Sequence, residues 1–147
     1  MRYRTAVSET IKKVTFVMSP HTTGSCLCKG VVFEVDGKLS PVLACHCSQC
    51  AKTSGNFAAM TSCANDNLKI LSDETLRWFQ SSETVERGFC NRCGGNLFWK
   101  QTGSSDIYIT AGTLDKPTGL KIAEHIFVAS KSDFYDLTDG LPQKDEW

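Results

Sequence analysis

The sequence predicts a single, mainly β domain, and three observations predict it. Short runs of β-branched and aromatic residues recur at close spacing with turn residues between them, which argues for many short strands and against alternating strands and helices. The length of 147 residues and the 41% hydrophobic share suit one domain with one core. Seven of the eight cysteines fall into three tight groups, so the chain carries its own cross-linking points.

Taken in order, residues 1 to about 21 read as a loosely held extension. Within it Val14-Thr15-Phe16-Val17-Met18 could form a strand before Ser19-Pro20 breaks it. The domain proper runs from residue 22 to 147. Gly30 to Val35 is β-branched and aromatic, and Asp36-Gly37 after it predicts a hairpin turn. Pro41 to Ala44 leads into a cysteine-rich loop, and Ser48 to Gly55 beyond it has no helical period and reads as a turn. Phe57 to Ala64 predicts a strand with Phe57, Ala59, Thr61 and Cys63 on one face.

Two further short strands, Leu68 to Leu71 and Leu76 to Phe79, are separated by the turn-like Ser72-Asp73-Glu74. Val85 to Phe89 enters the last cysteine pair and Asn96 to Lys100 leaves it. Asp106 to Gly112 and Lys121 to Val128 complete the strands. The tail over 131–147 carries Phe134, Tyr135, Leu137, Leu141 and Pro142 among acidic residues, and is expected to lie as an irregular strap over the sheet.

The cysteines point to chemistry. Cys45-His46-Cys47-Ser48-Gln49-Cys50 packs three thiols into six residues, Cys26 and Cys28 lie upstream, Cys90 and Cys93 lie downstream, and Cys63 stands alone. Soft thiolates at such spacings are the natural ligands of zinc. The simplest partition joins Cys26, Cys28, Cys90 and Cys93 in one four-thiolate set, which fills a tetrahedral ion and is therefore structural. Gly94-Gly95 fits the tight turn such a knuckle needs. A site of this kind can contribute on the order of 10 kcal/mol to folding.

Cys45, Cys47 and Cys50 remain as a three-thiolate set, and three protein ligands with an open fourth position are the pattern of catalytic zinc. Cys63 could close that position. Its place in a strand-like run favours a small apolar filler instead. Four disulfides are the rival use of eight cysteines. No secretory leader is expected, because the apolar run Val14 to Met18 is too short for one.

Charge and hydropathy exclude other classes. Lys plus Arg equals Asp plus Glu at 16 each, so no global field attracts nucleic acid or an anionic membrane. No apolar run approaches the roughly 20 residues of a membrane span. A soluble, cytoplasmic protein is the expectation.

With these motifs in view, the chain resembles the glutathione-dependent formaldehyde-activating enzyme family, also called the centromere protein V type. The resemblance rests on Gly24-Ser25-Cys26-Leu27-Cys28, on Cys45 to Cys50, on Cys90-Asn91-Arg92-Cys93-Gly94, on His125 to Lys131, and on Asp139-Gly140-Leu141-Pro142. It implies a β-tent fold carrying two zinc ions, structural on Cys26, Cys28, Cys90 and Cys93 and catalytic on Cys45, Cys47 and Cys50. It further implies a carbon–sulfur lyase that condenses glutathione, as co-substrate, with formaldehyde or a related small carbonyl compound to give S-hydroxymethylglutathione. Two positions depart from the family pattern. Ala51-Lys52 stands where an Arg-Lys pair is common, and Lys29 separates Cys28 from Gly30, where many relatives place glycine directly after the cysteine.

Around this core of expectation stand less specific residues. His46 lies between two thiols, and its side chain should point away from them into a supporting role. Lys52 could meet a carboxylate but reads as a solvated lysine. His125 reads as a satisfied structural histidine, and Trp78, Phe79, Phe98 and Trp99 read as core. The alternative to an enzyme is a non-catalytic β-tent zinc-binding module for protein interaction or thiol and metal binding.

Overall fold

Alternation builds the first sheet. Val31, Phe33 and Val35 are fully buried while Val32 and Glu34 between them are half-exposed, the signature of a strand with one face on a core. This strand, β2 (Val32–Asp36), pairs antiparallel with β1 (His21–Ser25) on one side and β5 (Leu68–Ser72) on the other. The structure is a computed structural model that describes residues 20–147. The expected extension therefore lies outside the described residues apart from Pro20 and His21, as does its candidate strand Val14 to Met18.

A second sheet carries the site. Its strand order is β10 (Ile122–Ile126), β3 (Val42–Cys45), β4 (Ala58–Ala64), β9 (Asp106–Thr110), β8 (Asn96–Gln101), β7 (Val85–Cys90) and β6 (Leu76–Ser82). Every pairing in it is antiparallel except that of β10 with β3. The two sheets share a core in which Phe33 of β2 meets Phe98 of β8 edge-on at 5.2 Å, with Leu97, Ile107, Ile109 and Leu114 around them. This is the mainly β, β-tent architecture that the sequence predicts. Among the described residues no helix is long and apolar enough to cross a membrane.

Several local expectations are corrected. Ser48 to Gly55 is not a turn. It forms α1 (Ser48–Ser54), whose N-cap is Cys47 accepting from the Cys50 amide and whose C-cap is Gly55 at φ +81°. Two turns are too short to show an apolar period, and cysteine is not among the usual capping residues. Asp36-Gly37 does turn the chain, with Gly37 at φ +101°, but it links β2 to the other sheet and closes no hairpin. β1 has no counterpart among the predicted strands, because His21-Thr22-Thr23-Gly24-Ser25 is polar; its pairing with β2 makes it a strand. Trp78 and Phe79 are 37% and 59% exposed on edge strand β6, so they are not core.

The tail runs beside β10. The His125 amide donates to Pro142 O at 2.9 Å, and the Lys144 amide donates to His125 O at 2.9 Å. The Val128 amide donates to Lys144 O at 3.0 Å. These bonds satisfy the outer edge of β10 and carry Trp147 back over Trp99, with centroids 6.5 Å apart.

Candidate metal centres and the adjoining cleft

Four of the cysteines meet where β1 and β7 end. Cys26 and Cys28 follow β1, Cys90 closes β7, and Cys93 sits on the turn beyond it. Their sulfurs all lie within 4.8 Å of one another, and the Cys26–Cys28 and Cys28–Cys90 separations are both 3.6 Å. Sulfurs about 2.3 Å from a tetrahedral zinc ion stand about 3.8 Å apart, so this donor set fits zinc. All eight cysteines are free thiols in this structure.

The surrounding backbone supports thiolates here. The Val31 amide donates to Cys26 Sγ at 3.3 Å and the Cys93 amide to Cys90 Sγ at 3.4 Å. Burial alone would raise the Cys90 thiol. The Thr75 hydroxyl, 3.0 Å away, and the Cys93 and Arg92 amides outweigh it and bring Cys90 down to about 5. The two turns need left-handed backbone: Gly94 has φ +74°, and Lys29 has φ +59°, which a side chain adopts only at a cost.

Three other thiols converge between β3 and α1. Cys45 is the last residue of β3, Cys47 caps α1, and Cys50 lies in its first turn, so strand end and helix start aim all three at one point. Their sulfurs also lie within 4.8 Å of one another. Hydrogen bonds from Cys45 and Cys50 hold the Cys47 thiol down to about 2, and the bond to Cys47 drives Cys45 well up. Crowding thus pushes the thiols of the trio in opposite directions, and a divalent cation held among them would favour ionisation of all three. Cys63 belongs to neither group. It is buried in the main core, and burial together with Asp106 pushes its thiol up to about 11.

The two groups differ in what lies beside them. A 370 Å³ cleft opens on Cys45, Cys47 and Cys50, walled by Val85, Trp99, Phe127 and Trp147 with Gln49 and Arg87 at one side. Trp99 and Trp147 stack at an interplanar angle of 17°. Phe127 holds φ +57°, a left-handed conformation costly for an aromatic residue, where β10 gives way to the tail. Arg87 lies opposite Trp99 in the β7–β8 register, its Nη2 donating to Gln49 Oε1 at 3.0 Å and its Nη1 4.0 Å from Cys50 Sγ.

Sequence reasoning had no hold on this wall. Trp99 is not simply core, since it forms one side of the cleft, while Lys52 is exposed on α1 and absent from the lining. Arg87, Gln49, Phe127 and Trp147 were not singled out. The one available signal is Arg87 itself, an arginine two residues after Val85 in an otherwise apolar-facing strand.

Behind the three-thiol loop lies a buried polar chain. His46, 1% exposed, points away from the cleft: Nδ1 meets the Tyr135 hydroxyl, and Nε2 lies 2.9 Å from His125 Nδ1. His125, 3% exposed, places Nε2 2.9 Å from Asp139 Oδ2. With both rings neutral only one proton assignment satisfies every atom. His125 Nε2–H donates to Asp139, His46 Nε2–H donates to His125 Nδ1, and the Tyr135 hydroxyl donates to His46 Nδ1. Burial above all lowers the His46 pKa and favours that neutral form. The tail therefore grips the thiol loop through its one inward-pointing histidine.

Comparison with known proteins agrees with this reading of the fold. The chain matches the family model described as glutathione-dependent formaldehyde-activating enzyme over residues 21–130. A Schizosaccharomyces pombe protein named an uncharacterized lyase is 25% identical over 121 residues, covering 82% of this chain and 88% of its own. A crystal structure of a Rhodobacter sphaeroides protein has a TM-score of 0.53 at 19% identity, covering 83% of this chain and 98% of that one, a likeness of fold.

Proposed function

Because the chain belongs to the glutathione-dependent formaldehyde-activating enzyme family, we propose that it is a zinc-dependent carbon–sulfur lyase that joins a small thiol to formaldehyde or a related carbonyl compound. The observation that carries this reading is the contrast between the two cysteine groups. Four thiols meet in one group, whereas three line an open cleft in the other. Cys26, Cys28, Cys90 and Cys93 would hold a structural ion, and Cys45, Cys47 and Cys50 a second ion with room for a substrate. The relative named a lyase supports the reaction class.

When bound at Cys45, Cys47 and Cys50, zinc supplies an electrophilic centre that keeps a thiol ionised at neutral pH. The chain's own residues do the rest. The aromatic wall of Trp99, Phe127 and Trp147 covers the apolar part of a substrate and excludes water. The Tyr135–His46–His125–Asp139 chain holds the loop still, so the thiols keep their convergence while substrate comes and goes. In the reaction the thiol sulfur attacks the carbonyl carbon, a C–S bond forms as the C=O π bond breaks, and the thiol proton ends on the new hydroxyl. Glutathione is the thiol that the family name supplies.

The test is exchange spectroscopy on 13C-formaldehyde with glutathione. The protein should accelerate interconversion of free formaldehyde and S-hydroxymethylglutathione above the spontaneous rate, and Cys47→Ala should abolish the acceleration. Exchange at the spontaneous rate with two zinc ions bound would leave a zinc-binding module as the better description.

A further inference from the structure

Among the described residues Arg87 is the one cation that lines the cleft beside the three thiols, and its own partners there are few. Among the described residues no carboxylate lies within ion-pair distance of it, whereas Arg92 is paired with Glu74 at 2.7 Å. Its guanidinium carries five N–H groups. One is well used, by the neutral Gln49 amide oxygen at 3.0 Å; a second reaches Cys50 Sγ only at 4.0 Å; and Nε is buried with no partner among the described residues. A half-buried, permanently charged group left so poorly satisfied against apolar walls is costly. An anion brought in by the ligand is the missing partner.

The surroundings narrow the anion. One guanidinium without a second basic residue in the lining matches a single negative charge, and its planar fork matches a carboxylate two-prongedly. Trp99 and Trp147 beside it offer a flat apolar surface. Its distance from Cys50 Sγ puts the anion within a few bonds of any sulfur seated at the thiol loop.

We propose that Arg87 is the specificity residue of this cleft, holding a carboxylate of the incoming thiol, so that the protein selects thiols bearing a carboxylate near sulfur over neutral ones. This rests on the thiol-binding reading above and adds to it the feature by which substrates are chosen.

The experiment is titration calorimetry of the metal-loaded protein with 3-mercaptopropionate, its methyl ester, and the S-methylated acid. The wild-type protein should bind the acid roughly 10- to 100-fold more tightly than the ester, the range expected for a charge-assisted pair. Arg87→Met should erase that preference by weakening the acid far more than the ester, and Arg87→Lys should keep part of it. Equal binding of acid and ester by the wild-type protein overturns the proposal without any variant. An Arg87→Met protein that weakens both alike also overturns it, because Arg87 would then serve the thiolates. If the S-methylated acid binds as well as the thiol while the ester does not, the carboxylate site stands and the thiol reading falls. Failure of all three to bind overturns both.

Discussion

Replacing His125 with alanine should destabilise the protein by about 3 kcal/mol, through a histidine that touches no substrate. His46 is 1% exposed and its Nε2 has one partner, His125 Nδ1 at 2.9 Å. Alanine at 125 leaves that donor buried and unpaired, which costs about 1–3 kcal/mol. The lost ring, itself 3% exposed, adds a packing term of about 1–2 kcal/mol. A loss of this size lowers the melting temperature by roughly 10 °C in a domain of this length. Urea denaturation of the metal-loaded protein measures it directly, and 15N spectra of the histidine rings check its cause. The neutral chain requires the proton on Nε2 of both His46 and His125. A His125→Ala protein within 0.5 kcal/mol of wild type, or a His46 proton on Nδ1, would refute the argument.

Asp139 gives the same network a pH signature. The Leu141 amide, then His125, hold its carboxyl below the ordinary Asp range, so its contribution is present above the unfolded value near 4 and is lost as pH falls through the lower folded one. The stability gap between wild type and Asp139→Asn should therefore be constant at neutral pH and close on acidification below about pH 4. Lys29→Gly should raise stability by about 1 kcal/mol, because Lys29 holds φ +59°, a conformation that glycine adopts without steric cost; a neutral or destabilising result in urea would show that the lysine side chain compensates. Cys47→Ala should lose about one zinc per chain by metal analysis and keep its β circular dichroism, whereas Cys93→Ala should yield unfolded or insoluble protein. The reverse pattern would exchange the structural and catalytic assignments.

What the sequence determined by itself was local. Strand after strand could be read because β-branched and aromatic runs between turn residues favour extended backbone, as in Gly30 to Val35, without reference to anything distant. The three cysteine groups were legible for the same reason: spacings of one and two residues constrain sulfurs to a common turn. Where local signals were weak, reading failed. α1 is two turns long and capped by a thiol, and β1 is polar and becomes a strand through its partner. Only the tertiary structure decided the rest. It laid Trp147 on Trp99 and so built one wall of the cleft. It also turned Arg87 toward Cys50 and strung Tyr135, His46, His125 and Asp139 into one chain. Such contacts have no period or motif, because they depend on which strands become neighbours, and burial of the two sheets against one core settles that for the whole chain at once.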